Sequence, residues 1–437
     1  MLLCLAGCGP SGLDPVTLLP HDADALLALG SARDLSARLG PILDRMPEAE
    51  GIADLLRSVT GLDIRVPDRT RDSGLDPRRR TGVAYWRGAL LLALPVLDED
   101  LAARRLGLRL ARLGFIARGQ GGLRHFEDLR TGRNASLEMR HGVALVCVSA
   151  SDVCAGPVPP GDRPWSPALV AQELGMPDAD LVALVRNPLL VKLAGIERGP
   201  ARILAALLGD ARVAVRLEGG ALVRVGLGAS GAEAGPPGDL PRVPEGVAMV
   251  LSVALPAAFP RQSLEGPILG MCGSACAQSP DFNAALQGWT GAFGLVVLAR
   301  PDAPKAPLVL SEIPRRLNFL VSGRFTTGAD GAARLLGALL KEASVVAGSD
   351  TVFAAMGDKG LAQAVLAGQR PDLVAAAFSA TGPTVARLIL DPSRLAEAAG
   401  GIPVEFLRHV VEGIRQVHVT ARFDEGRLLV DAGVVVR

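Results

Sequence analysis

Aromatic side chains are scarce in this 437-residue chain: 11 Phe, 3 Trp and 1 Tyr, or 3%. Base-stacking surfaces need rows of such rings, so single-stranded nucleic acid is excluded as a natural partner. A charge excess is also missing. Lys and Arg number 46 against 45 Asp and Glu, so a net charge of +1 creates no field that would gather polyanions. Lysine is nearly absent, with only Lys192, Lys305, Lys341 and Lys359, and arginine carries the positive charge. No apolar run reaches the roughly 18 residues of a membrane-spanning helix. The richest, Ala89 to Leu97, is broken by Pro95.

Catalytic signatures are missing as well. No Walker loop, G-x-S-x-G elbow, HExxH pair or EF-hand loop occurs. Gly226-Leu227-Gly228-Ala229-Ser230-Gly231 has the spacing of a dinucleotide loop and follows a strand pattern. Ala232 to Pro244, however, cannot form the helix whose N-terminus would hold a pyrophosphate. His21, His125, His141, His409 and His418 are scattered. His125 and His141 are expected to face each other across neighbouring strands near Glu127, which is the nearest approach to a general base or ligand pair. They read as surface groups. Cys272-x-x-x-Cys276 has neither redox nor zinc spacing, and no His lies near it. No catalytic residue, cofactor or metal site can be named, and the expectation is a protein that is not an enzyme.

What is present is apolar bulk. Hydrophobic residues make up 49% and charged residues 21%, enough for large cores built from Leu, Val and Ala. The length predicts two domains. Near the start, a short apolar run ends in Leu5-Ala6-Gly7-Cys8. This resembles the lipobox of bacterial lipoproteins. The resemblance implies that the peptide before Cys8 is removed, that Cys8 carries the lipid, and that the body is held on a membrane of the cell envelope, facing the periplasm or the exterior. Met1 to Gly7 is short for a signal and no Lys or Arg precedes it, so the true start is expected upstream. Residues 9–19 read as a tether. Four cysteines remain for the body, and in an exported protein they suggest disulfides. Local pairing, Cys147–Cys154 and Cys272–Cys276, is the first choice among three connectivities.

The body reads as an α+β protein of two tandem duplicated halves, residues 20–229 and 244–437, around a Gly/Pro-rich linker at 230–243. Each half is expected to be a mostly antiparallel sheet with helices on one face. Strands are expected at Ala23–Leu29, Thr81–Trp86, Ala89–Val96, Val143–Val148 and Asp180–Val185, with a helix from the Asp98 cap through Leu113. The duplication rests on three correspondences. Arg212-Val213-Ala214-Val215-Arg216-Leu217-Glu218-Gly219-Gly220-Ala221-Leu222 reads against His418-Val419-Thr420-Ala421-Arg422-Phe423-Asp424-Glu425-Gly426-Arg427-Leu428 at constant offset. Gly40-Pro41-Ile42-Leu43 recurs as Gly266-Pro267-Ile268-Leu269, and Asn187-Pro188 corresponds to Asp391-Pro392. This order, an exported N-terminus followed by two copies of a Pro–acid start, helices and Gly-closed hairpins, resembles a family of uncharacterised two-repeat bacterial envelope proteins. The resemblance assigns no activity to any residue.

The segment Asp63 to Arg80 is dense in charges of both signs and reads as a solvated, mobile loop. A sharper reading makes Arg78, Arg79 and Arg80 a contact for anionic headgroups or polyanionic envelope polymers. Three functions stay open. The first is a non-enzymatic binding or scaffolding surface with an envelope protein as partner. The second is a carrier of a lipid or other apolar ligand between sheet and helices, with Ala201 to Leu208 and Leu335 to Leu340 lining the space. The third is an envelope hydrolase without a standard motif. A cavity of a few hundred Å3 favours the carrier, and a filled core favours the scaffold.

Overall fold

A computed structural model describes residues 13–45, 54, 57–58, 60–118, 123–159, 165–189, 210–217, 220–227, 244–255, 280–300, 316–381, 384–398, 413–424 and 427–436. The chain divides into two compact units, Met1–Pro237 and Gly238–Arg437. Cys8, Cys272, Cys276, the recurring Gly266–Leu269 and the Ala201–Leu208 helix all fall outside the described residues.

The first unit carries ten strands among its described residues. They are β1 (Ala25–Leu29), β2 (Thr81–Trp86), β3 (Ala89–Pro95), β4 (Ile116–Arg118), β5 (Leu123–Asp128), β6 (Arg133–Arg140), β7 (Val143–Ser149), β8 (Leu181–Val185), β9 (Ala211–Arg216) and β10 (Gly220–Leu227). Every pairing is antiparallel, in the order β4-β5-β6-β7-β3-β2-β1-β8-β9-β10. Helix α1 spans Ala32–Arg45, α2 Glu99–Arg112 and α3 Pro167–Glu173. The α2 start follows from its sequence. Asp98 accepts the Leu101 N–H, acids occupy the first turn, and Arg109 and Arg112 sit in the last, as the helix dipole favours. Ala102, Leu106 and Leu110 form its buried stripe and pack on Leu92, Leu94, Leu137 and Val146 of the sheet.

Helices do not keep to one face, as the sequence pattern had suggested. In β3 every residue but Leu90 is buried, and β7 is buried at all positions but Val148. Such apolar runs need cover on both faces. The face opposite α2 is closed by the Cys147–Cys154 bond and by a 3-10 turn, Pro15–Leu18. Val16 and Leu19 are completely buried there, against Gly82. Packing therefore begins inside the stretch that composition marked as tether. Helix α3 also begins on a local sequence signal. Its cue is Ser166-Pro167: Ser166 caps the Leu169 N–H and proline occupies the first turn, where it has no partner to lose.

The charged segment is also ordered. Pro67–Ser73 is a 3-10 helix, and Thr70 and Leu75 are completely buried. The Asp63 carboxylate accepts the Arg65 and Val66 N–H groups at 3.0 and 2.8 Å, while the Asp63 N–H donates to the Thr70 hydroxyl at 2.9 Å. Gly74 holds a left-handed φ of 76°, and its carbonyl accepts the Leu97 and Asp98 N–H groups at 2.9 and 3.1 Å. A solvated, mobile loop is thus the wrong description: Ile64 and Leu75 within it, and Leu62 beside it, are core, and Val66 is its one exposed aliphatic side chain.

The second unit has β11 (Val247–Ala254), β12 (Trp289–Ala299), β13 (Leu317–Phe325), β14 (Ser344–Ala347), β15 (Thr351–Met356), β16 (Thr384–Leu390), β17 (Ile414–Asp424) and β18 (Arg427–Val436). All are antiparallel, in the order β14-β15-β13-β12-β11-β16-β17-β18. The helices are α4 (Pro280–Gly288), α5 (Ala329–Leu339), α6 (Leu361–Leu366), α7 (Pro371–Ala377) and α8 (Pro392–Ala398). Both faces are again covered. Val296 packs with Leu361, Val365 and Leu373 of α6 and α7. Its neighbour Val297 points the other way, towards Leu395 of α8. On that second face α4 and α5 lie over Phe325 and Val352.

Candidate functional site

The second unit holds a cavity of about 470 Å3 between its sheet and the α4–α5 pair. That size lies within the range of small-molecule sites. The floor is set by register. Val253 of β11 opposes Phe293 of β12, and Phe293 opposes Gly323 of β13, so the three share one face. Val321 lies two residues from Gly323 on that face, and Phe325 two residues further on lays its ring against Gly323. The roof follows from helical spacing. Phe282, Ala285 and Leu286 of α4 line the cavity at i, i+3 and i+4, as do Ala332, Leu335 and Leu336 of α5. Leu255 and Trp289 complete the apolar wall.

The helix pair is fixed. Arg334 donates through Nε and Nη2 to the two Asp281 oxygens at 3.0 and 2.7 Å, a two-pronged bond from α5 to α4. The Asp281 carboxylate is held below the usual range by that hydrogen bond, and Arg334 is raised by the same contact. Gly331 allows the approach, since a Cβ there would lie 3.0 Å from Asp281 Oδ1. At the other end the Thr326 N–H and hydroxyl both donate to the Gly288 carbonyl, at 2.7 and 3.1 Å.

The wall has almost no chemistry. Ser322 borders it through its backbone only: lying between Val321 and Gly323, its side chain points to the other face, where the hydroxyl donates to the Gly294 carbonyl at 3.2 Å. The Trp289 indole N–H donates to the Ala292 carbonyl at 2.8 Å. Among the described residues, no titratable side chain lines the space. The arrangement can bury apolar surface.

Other residues singled out from sequence fall elsewhere. Cys147 and Cys154 are bonded, with Cα atoms 5.6 Å apart. The three arginines do not form one exposed cluster. Arg79 is tied to the backbone, donating to the Gly142 carbonyl at 3.1 Å and to that of Leu13. Arg80 is half-buried and Arg78 is exposed. His125 opposes Ser136, not His141. His141 sits in the β6–β7 turn with φ 50°, so the two do not face each other, and Glu127 pairs with Arg118 at 3.1 Å. Gly226 is a paired residue of β10, opposite Arg212. Sequence reasoning did name Leu335–Leu340 as a cavity wall, and Leu335 and Leu336 are in it. It missed Phe282, Trp289, Phe293 and Phe325. The cue was aromatic density: with Phe319, these make five of the chain's fifteen rings within residues 282–325.

No protein-family model matches the chain, and no curated protein matches it.

Proposed function

We propose that this chain is a non-enzymatic, lipid-anchored protein of the bacterial cell envelope whose second unit carries an apolar ligand between sheet and helices. The observation that carries the reading is the 470 Å3 space with an apolar wall and a clamped roof. Four of its fourteen wall residues are aromatic, in a chain that is 3% aromatic overall. The two large filled cores carry two rings each, Phe115 with Phe126 and Phe353 with Phe378, so four rings around one open space favour a binding wall. The scaffold reading suits the first unit, whose corresponding space is filled. A hydrolase would need convergent acids and a histidine in a cleft, and the described wall residues give that reading no support.

The anchor comes from the lipobox resemblance at Cys8, which keeps the body beside a source of lipid. We also read the two units as a tandem duplication. What supports it is the common order β6-β7-β3-β2-β1-β8-β9-β10 and β14-β15-β13-β12-β11-β16-β17-β18. The matched stretches from Arg212 and His418 fall on corresponding hairpins, β9–β10 and β17–β18.

The test is native mass spectrometry of the exported body from Ser11 onward, purified without detergent, with analysis of its organic extract. A stoichiometric apolar molecule is the expected result. A clean apo mass with an empty extract would remove the carrier reading and leave the scaffold.

A further inference from the structure

We infer that the cavity takes one alkyl chain of a membrane lipid, held by burial alone with its polar end left in water, and that each protein molecule holds one. This rests on the carrier reading above and goes on to name the ligand's chemistry and its number.

The chemistry follows from the polar atoms in the wall. Among the described residues, Trp289 is the only side chain facing the space with a hydrogen-bonding group, and its N–H donates to the Ala292 carbonyl. A ligand hydroxyl, amide or carboxylate inside would leave water and find no partner, which costs more than its burial returns. Methylene groups carry no such cost. Each one buried gains the same increment, and the rings of Phe282, Phe293 and Phe325 offer broad contact faces for them. Among apolar molecules at a bilayer, the acyl chain has this composition.

The number follows from comparing the two units. In the second, α5 roofs an open space after β13. In the first, α2 follows β3 in the same way, but the space beneath it is filled by Leu62, Leu75 and Val96, which pack with Ala102 and Leu106. Leu75 and Ala102 have no exposed surface. The segment supplying Leu62 and Leu75 is the charged stretch Asp63–Arg80 with its flanking residue, so this plug closes the site in one unit only.

The experiment uses the full chain with Trp86→Phe and Trp165→Phe, leaving Trp289 as the sole tryptophan and a reporter in the wall. It is titrated with n-alkanoic acids and n-alkan-1-ols of about six to twelve carbons, below their aggregation concentrations, a range chosen so that each added methylene has a calculable effect. Kd is expected to fall about fourfold per added methylene until the space is full. Acid and alcohol of equal length are expected to agree within a few-fold, with no salt dependence. Affinity independent of length, or an acid–alcohol gap beyond about tenfold, overturns burial by hydrocarbon alone. Native mass spectrometry of the same samples is expected to give one ligand per chain. Two per chain would overturn the single site while leaving the carrier reading intact, and no binding by any homologue would overturn both. Ala332→Phe, which puts a ring into the space, and Leu335→Gln, which places an amide in the wall, are each expected to abolish the Trp289 response with an unchanged circular dichroism spectrum. If either folds and binds like the parent, the site is elsewhere and the inference falls.

Discussion

Replacing Leu75 by alanine tests whether the charged segment holds the first unit together. Leu75 is completely buried, bridges to Val96, and packs with Leu62, Leu94 and Leu106. Removing three carbons from such a site loses their transfer energy and leaves a cavity, about 2–5 kcal/mol in comparable cores. Collapse around the gap is limited because the flanking backbone is fixed. Asp76 N–H donates to the Pro95 carbonyl at 2.9 Å, and the Gly74 carbonyl holds Leu97 and Asp98. A loss of about 3 kcal/mol is therefore expected, and with a urea slope of about 3 kcal/mol/M it lowers the midpoint by about 1 M. The assay is urea unfolding in a Trp289→Phe background, where Trp86 and Trp165, both buried in the first unit, give the signal. The companion Trp86→Phe/Trp165→Phe background should show no shift for the second unit. A midpoint change below about 0.3 M would match a surface substitution and refute the plug.

Four further outcomes follow from single contacts. Asp128 accepts from the Thr131 hydroxyl, from Arg133 and from the Arg130 N–H, and these bonds, Thr131's first, hold its carboxyl well below the usual range. A depressed carboxylate stabilises the fold above its unfolded pKa of about 4 and loses that contribution as pH falls below it. Asp128→Asn should thus lower the melting temperature at pH 7, with the gap to wild type closing in strong acid, as read by circular dichroism. His418 is buried and its pKa is lowered by desolvation, partly offset by Asp431. Stability is then in place above the unfolded value of about 6.5 and is lost as pH falls below it, so His418→Gln should flatten the second unit's pH profile between about 7 and 5. Cys147→Ser with Cys154→Ser opens a short loop, with a sequence separation of 7, and should cost about 2–3 kcal/mol in urea unfolding under oxidising conditions; the cost should vanish under reductant. Asp281→Ala removes the clamp between α4 and α5, and it should weaken alkanol binding at Trp289 while the Trp86 and Trp165 signals stay unchanged.

Local signals gave the strands and the α2 cap, because those features depend on neighbouring residues. Thr81–Trp86 alternates and stands before an Arg87-Gly88 turn, and Asp98 precedes acids and then arginines. What failed depends on residues far apart. The His125–His141 pairing required a register, and register is set by the whole β5–β6–β7 ladder. The charged segment looked solvated because composition averages over it. Ile64 and Leu75 point inward, while Arg78 is exposed and Arg79 grips a backbone carbonyl. Cover on both faces is implied by the apolar runs of β3 and β7, since a strand with one wet face would alternate.

The cavity shows where that limit lies. Leu335 and Leu336 could be assigned to a wall from helical spacing, since a stripe must face something. Whether that something is a side chain or a space cannot be read from the stripe, because α2 in the first unit carries an equivalent one, Ala102, Leu106 and Leu110, and meets a filled core. The difference lies in what else reaches the same place. In the first unit a left-handed Gly74 turns the chain so that Leu75 lands beneath α2. In the second, four rings border the space, and the one polar edge among them, the Trp289 indole N–H, is bonded to the Ala292 carbonyl. A chain with so few aromatics that gathers four of them around an open volume has given up close packing there, and close packing is the default for a core. Retaining the space is physically consistent only if something else fills it, which is why the ligand, and not the sheet, is the variable to measure next.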